Sequence, residues 1–266
     1  MRRVDRSSST SSPSARVVSE VLEDGPVPLW IHPEWAERFP WLVQGTTGRG
    51  NEAEAFDLGV YGSVPIGTSM ERWKRVRQTL GMRTVVHSRQ VHAAQLAEWA
   101  EPLPEGMMHV SGFDGHVSTV TGLLLAVSIA DCVPVSIVSE RPRAVAMVHS
   151  GWRGVAADIT ERAVARLMER GAHASELMVH CGPSICGECY EVGPEVHQGV
   201  RPDETPPSGP SPIDLRAAIS ERVQKLGVAS ENVTISGHCT LCGPGAFFSH
   251  RGGHSGRQMG VLGLRE

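Results

Sequence analysis

Apolar residues fall along the chain in short runs whose spacing changes from stretch to stretch. The most apolar run, GLLLAVSIADCVPVSIV from Gly122 to Val138, has the length and composition of a strand buried on both faces. Asp131 and Cys132 interrupt it, and Pro134, which has no backbone N–H to donate, marks a bend or an edge between two strand pieces. Thr84, Val85 and Val86 predict another strand leading into HSRQVHAAQ. Ala144 to Val148 predict a third, ending on His149, and the closing RQMGVLGL a last one. Beyond His149 the period lengthens: Val155, Ile159, Ala163 and Leu167 lie four apart on one face of a helix beginning at Val155, with Gly171 in the place of a C-cap glycine. Leu215, Ile219, Arg222 and Leu226 predict a second helix that stops before Gly227. Gly151 and Gly154 let the chain turn sharply where the strand hands over to the helix.

The segment from Gly199 to Pro212, rich in Pro, Gly and Ser, reads as an exposed excursion. Residues 1–20, opening MRRVDRSSSTSSPSARVV, read as a disordered tail, and residues 21–266, with no repeat or strong boundary, as a single domain. Neither GxGxxG nor GxxxxGK[ST] occurs, and the elements alternate too irregularly for a doubly wound sheet, so pattern alone gives a mixed α and β chain. A hydrophobic content of 40% and a charged content of 20% fit a soluble globular protein. A formal net charge of -4, with no basic run among aromatics, argues against a nucleic-acid partner. No apolar run reaches the roughly 18 residues of a membrane helix. The N-terminal stretch has no apolar core of a secretory signal, so the expected location is cytoplasmic.

Three candidate ligands stand at predicted strand ends: His92 in QVHAA, Cys132 in ADCVP and His149 in VHSGW. Two imidazoles and one thiolate suit zinc, or copper, and leave a coordination position open for water or substrate. Singly, a histidine at a strand end is more often a satisfied structural residue. Cys186 with Cys189, and Cys239 with Cys242, form two CxxC pairs. If the pairs meet they supply four thiolates for a structural zinc; if they do not, they are two sets of reduced thiols. Disulfides are disfavoured without a sign of export, and Cys181 has no evident partner.

The motifs QVH (Gln90 to His92), ADCVP (Ala130 to Pro134), HSGWRG (His149 to Gly154) and GPSICGECYEVG (Gly182 to Gly193) are followed by Asp214-Leu215, Cys239-Thr240, FFSHR (Phe247 to Arg251) and Gly256-Arg257. In this order, across roughly residues 40 to 264, they resemble the laccase-domain family of multicopper polyphenol oxidases, also described as purine nucleoside phosphorylases and peptidoglycan editing factors. The resemblance implies an α/β fold, one domain with mixed β-sheets layered between helices, like that of cytotoxic necrotizing factor. It implies a zinc or copper centre on His92, Cys132 and His149, and purine nucleoside and phosphate as substrates. Phosphorolysis of adenosine, inosine and methylthioadenosine, with deamination of adenosine, is the activity it implies.

Two positions depart from the family pattern. Gly48 replaces a Thr beside Arg49, and His250-Arg251-Gly252 stands for a Tyr-Arg-Arg; the CxxC pairs lie outside the catalytic signature. On this frame Asp131 is the expected acid/base group, or else a carboxylate capping a turn. Arg49 and Arg153 are the expected phosphate ligands, and Trp152 either stacks on a base or packs inside. Three other readings stay open: a copper-dependent laccase, a hydrolase of peptidoglycan precursors with Cys132 as nucleophile and His149 as base, and a binding module built around four cysteines.

Overall fold

The apolar runs become strands of two seven-stranded mixed sheets in a computed structural model that describes residues 15–50, 55–62 and 64–266. The first sheet runs Arg16–Val18 (β1), Val233–Ser236 (β15), Met178–Cys181 (β12), Val133–Glu140 (β10), Arg143–Ser150 (β11), Gly115–Ser118 (β8), Leu96–Trp99 (β6). The second runs Val21–Glu23 (β2), Leu29–Ile31 (β3), Leu42–Thr47 (β4), Gln258–Leu264 (β16), Leu123–Ile129 (β9), Thr84–Arg89 (β5), Gly106–Ser111 (β7). Glu191–Val192 (β13) and Ser211–Pro212 (β14) make a small antiparallel ribbon. The helices are Pro33–Arg38 (α1), Ile66–Thr79 (α2), Trp152–Ala156 (α3), Ile159–Glu169 (α4), Pro194–Val200 (α5) and Leu215–Lys225 (α6).

Side chains alternating along the central strands explain why those runs read as continuously apolar. Leu123, Leu125, Val127 and Ile129 of β9, with Leu262 and Leu264 of β16, face Val138, Val145 and Met147 of β10 and β11 across the space between the sheets. The intervening Leu124 and Ala126 pack outward against Trp73 and Val76 of α2. On the far side, Val135, Ile137, Ala146 and Val148 meet Ile159, Ala163 and Leu167 of α4 and Ile219 and Val223 of α6. The result is helix, sheet, sheet, helix. Both faces of β9, β10 and β11 are covered, which is the situation that favours uninterrupted apolar strands.

Two expectations are corrected. The helix expected from Val155 is two helices, because Asp158 is left-handed (φ 60°, ψ 36°) between α3 and α4. Arg222 holds the break: its Nη1 donates to the carbonyl of Val155 at 2.9 Å, to Asp158 Oδ1 at 2.7 Å and to Glu161 Oε1 at 3.1 Å. The break lets α4 lie on the sheet while Trp152 in α3 reaches Gly199 of α5. Second, the disordered tail expected over residues 1–20 is not what the structure shows from residue 15 onward. Arg16–Val18 pair in parallel with Thr234–Ser236, and the side chain of Glu20 is buried, accepting from His180 Nε2 at 2.8 Å and Ser236 Oγ at 2.7 Å. Residues 1–14 lie outside the described residues. The expected excursion after α5 is exposed or half-buried over residues 201–212, and the β13–β14 pairing pins its end. Gly171 and Gly227, both with positive φ (95° and 96°), follow α4 and α6 as expected.

Candidate active site

Cys132 lies where the chain crosses from one sheet to the other, between the end of β9 and the start of β10. His149 is the penultimate residue of β11, whose pairing with β10 sets it opposite Pro134. His92 follows β5, which runs parallel to β9. Three segments distant in sequence thus deliver their side chains to one place: a ligand nitrogen or sulfur from each of His92, Cys132 and His149 lies within 4.8 Å of the other two.

A fourth residue, Asp114, organises the group. It is fully buried, and its Oδ1 lies 3.1 Å from His149 Nδ1. The same carboxylate accepts three successive backbone N–H groups, from Val91 (3.2 Å), His92 (2.9 Å) and Ala93 (2.9 Å). Consecutive N–H groups folded around an anion form a nest, and this one holds His92 in the left-handed conformation, φ 57°. With Nδ1 of His149 turned to Asp114, Nε2 is free for a metal, as in carboxylate–histidine–metal arrangements. No local signal marks Asp114 in the sequence, since its partner is 35 residues away.

Gly151 supplies a second requirement. A Cβ there would sit 3.0 Å from Cys132 Sγ, 3.6 Å from His92 Cδ2 and 3.8 Å from His149 Cε1, so the cluster occupies the space that any larger residue needs. The electrostatics reinforce one another. Burial opposes ionisation of Cys132, yet the nearby imidazoles of His149 and His92 bring its thiol down from 9.0 to about 6. Burial likewise disfavours charge on His149, but the Cys132 sulfur and Asp114 raise it from 6.5 to about 9. Two imidazoles, an easily ionised thiol, a carboxylate behind one imidazole and a cradle that excludes a methyl group fit a zinc ion with one position left open.

His92, Cys132 and His149 line a cavity of about 540 Å³. Arg89 and Arg257 bring positive charge to its lining, Arg89 lying 5.6 Å over the ring of Tyr61, and Tyr61, His87 and Ser128 bring neutral polar groups. These neutral groups belong to a hydrogen-bonded chain: Tyr61 Oη to His109 Nε2 (2.7 Å), His109 Nδ1 to His87 Nδ1 (3.1 Å), His87 Nε2 to Ser128 Oγ (2.7 Å). Burial, with His109 and His116 nearby, pushes His87 down to about 3, so its ring is neutral. Gln90 of the QVH motif is not a ligand; its amide pairs with the backbone N–H and C=O of Ser128 and so ties β5 to β9.

Several expected roles move. Asp131, also left-handed (φ 85°), does not line the cavity. Its Oδ1 accepts from Thr240 Oγ1 (2.6 Å), its Oδ2 from the Arg251 N–H (2.7 Å) and its carbonyl from the Ile185 N–H (3.0 Å). Both carboxylate oxygens are engaged, so this residue anchors neighbouring loops where proton transfer was expected. Arg49 is absent from the cavity lining, its guanidinium lying 5.9 Å over Phe248, and the exposed Arg153 lies 4.3 Å over the ring of its neighbour Trp152. Trp152 itself packs against the helical core and not in the cavity. The two CxxC pairs do meet: Cys186, Cys189, Cys239 and Cys242 have their sulfurs within 4.8 Å of one another.

Residues 56–265 match the family model described as multi-copper polyphenol oxidoreductase laccase. The chain belongs to this family. Among curated relatives it is 32% identical over 206 residues to the adenosine deaminase RL5 of an unknown prokaryotic organism, covering 73% of this chain and 76% of the relative. It is 33% identical over 212 residues to the purine nucleoside phosphorylase YlmD of Geobacillus stearothermophilus, covering 74% of each. The crystal structure of YlmD from Geobacillus stearothermophilus superposes with a TM-score of 0.80 at 26% identity, over 93% of this chain and 100% of that one. The Bacillus licheniformis hypothetical protein YfiH shares the fold with a TM-score of 0.81 at 23% identity, over 91% and 98%. The relatives' names, purine nucleoside phosphorylase and adenosine deaminase, suggest an enzyme, and the donor sets suggest a metal.

Proposed function

We propose that the chain is a zinc-dependent purine nucleoside enzyme that phosphorolyses adenosine, inosine and methylthioadenosine and deaminates adenosine at the same site. The observation that carries this reading is the meeting of His92, Cys132 and His149 beside a cavity lined by Arg89 and Arg257 together with neutral polar groups. Zinc held by these three residues supplies a Lewis acid that activates water at neutral pH.

The chain's own groups do the rest. Arg89 and Arg257, in place of Arg49 and Arg153, bind the phosphate through charge-assisted hydrogen bonds. A phosphate oxygen so held bonds to ribose C1′ as the C1′–N9 bond breaks and the purine leaves with the electron pair. Ser128 and His87, fixed by the chain through His109 and Tyr61, offer neutral hydrogen-bonding groups to the edge of an uncharged base. Asp114 keeps the His149 proton on Nδ1 and the ring in place. In deamination water adds at C6 and ammonia leaves. Arg89 and Arg257 favour an anionic co-substrate over the neutral phenol of a laccase. We place this activity in the cytoplasm and in a single domain from residue 15 to 266; among the described residues no helix is long and apolar enough to cross a membrane.

The test is incubation of the purified protein with each nucleoside, with and without phosphate, and identification of products. Cys132→Ala abolishes both ribose 1-phosphate and inosine formation, whereas Arg257→Ala lowers phosphorolysis and spares deamination. Retention of both activities in Cys132→Ala overturns the assignment. The Cys132–His149–Asp114 alignment supports a second reading, a thiol hydrolase of an amide bond with His149 as base. Amide cleavage that survives thorough chelation, with no turnover of nucleosides, selects it.

A further inference from the structure

Away from the cavity lining, the four CxxC sulfurs form a group that the proposed reaction does not use. They come from two short turns: Cys186 to Cys189, closed by the Cys189 N–H donating to the Cys186 carbonyl (3.1 Å), and Cys239 to Cys242, closed by the Gly243 N–H donating to the Cys239 carbonyl (3.1 Å). A parallel bridge between Ser184 and Cys239 joins the turns, and the Thr240 N–H donates to the Ser184 carbonyl (3.0 Å). All four cysteines are free.

Two independent features point to a bound cation. The first is spacing. Cys186 Sγ and Cys242 Sγ are 3.9 Å apart, far beyond the roughly 2.05 Å of a disulfide. Four sulfurs at about 2.3 Å from a tetrahedral zinc stand about 3.8 Å from one another. The second is donation. Cys239 Sγ accepts backbone N–H groups from Cys186 (3.3 Å), Leu241 (3.4 Å) and Cys242 (3.5 Å). Three amides aimed at one buried sulfur suit a thiolate, and a buried thiolate beside three more sulfurs calls for a cation to balance its charge. The other three cysteines are exposed or half-buried, so core packing does not account for the group.

We propose that Cys186, Cys189, Cys239 and Cys242 hold a second, closed zinc ion that fixes the position of Cys132. On binding, each thiol gives its proton to solvent and its sulfur to the metal. The link to the other site is short. Thr240, beside Cys239, donates its hydroxyl to Asp131 Oδ1, and Ile185, beside Cys186, donates its N–H to the Asp131 carbonyl. Each turn therefore grips Asp131 from one side. Asp131 holds an unfavourable left-handed backbone only because of such bonds, and the next residue is Cys132. The four cysteines are positioning residues for that thiol.

The proposal stands on the cysteine geometry and is independent of which reaction the cavity carries out. Its test is metal analysis of the full chain by native mass spectrometry after expression with zinc. The expected result is two zinc ions per chain, with Cys132→Ala and Cys242→Ser each retaining one. In the wild-type protein, alkylation with N-ethylmaleimide and peptide mapping finds Cys186, Cys189, Cys239 and Cys242 unlabelled until a chelator is added, a measurement that requires no variant to fold. The positioning role is read from the rate at which a chelator strips zinc from the His92 site: Cys242→Ser raises it about 10-fold, as expected when a ligand loses its outer support, whereas a merely local site leaves it unchanged. A zinc count that Cys242→Ser leaves unchanged, four freely alkylated CxxC thiols, or disulfides between them overturns the second site; an unchanged stripping rate overturns the coupling.

Discussion

The two cysteine-bearing clusters use similar atoms in opposite ways. His92, Cys132 and His149 offer three ligands beside a cavity, come from three distant segments and are backed by a buried carboxylate. Cys186, Cys189, Cys239 and Cys242 offer four sulfurs from two compact turns and are backed by backbone amides. Three ligands and an opening suit chemistry; four ligands and no opening suit architecture. Ligand number alone does not decide the difference. The open cluster is set at the ends of strands that the sheets already hold, while the closed one joins two turns that lie outside the sheets.

That contrast predicts different costs of losing each. Removing zinc from the closed cluster, as in Cys189→Ser, lowers the thermal midpoint strongly, since structural zinc contributes folding energy outright. His92→Ala leaves the midpoint within a few degrees, its side chain being exposed, and abolishes turnover. Calorimetry of both variants checks the pair of outcomes, and equal midpoints break the comparison. Next in size is Gly151→Ala, whose methyl would lie 3.0 Å from Cys132 Sγ. It weakens zinc at the open cluster by about 100-fold, an expectation at the upper end for disturbed metal sites, and leaves the closed one filled. Competition with a chelator reads both.

Asp114→Asn comes third. It removes the charge behind His149 and weakens the nest around His92, with an expected loss of about 10-fold in metal affinity. The smallest effect concerns acid. His87 and His116, both buried, are pushed down from 6.5 to about 3. The unfolded chain takes up protons on them below pH 6.5 while the folded chain stays neutral until about 3, so stability falls as pH drops through that window. The urea midpoint is therefore lower at pH 5 than at pH 7, with a smaller drop in His87→Gln. No histidine is a ligand of the closed cluster. Zinc retained there at pH 5 while the midpoint falls assigns the change to the sheets.

What was legible in the sequence follows the range of the interactions. The central strands were readable because apolar runs are local patterns; the position of His92, Cys132 and His149 at strand ends only nominated them, and the resemblance to a family implied that they meet. The layering came from resemblance to a family. Asp114 was not readable, because a nest exists only once three amides from a distant loop fold over it. Nor was the positive charge of the cavity lining: Arg153 stands beside His149 in sequence but turns to Trp152, while Arg257 reaches the cavity from just before β16. Asp131 misled for a related reason. Adjacency to Cys132 suggested chemistry, yet the left-handed backbone at Asp131 bends the chain between β9 and β10, and its carboxylate is taken up by Thr240 and the Arg251 N–H.

The short strand at Arg16–Val18 bears on how the chain tolerates shortening. Beginning at residue 21 would strip β15 of its outer neighbour and leave His180 and Ser236 without the Glu20 carboxylate. A naked row of backbone donors and acceptors on a central sheet is an invitation to a second molecule. A chain trimmed in this way is expected to associate through that flank.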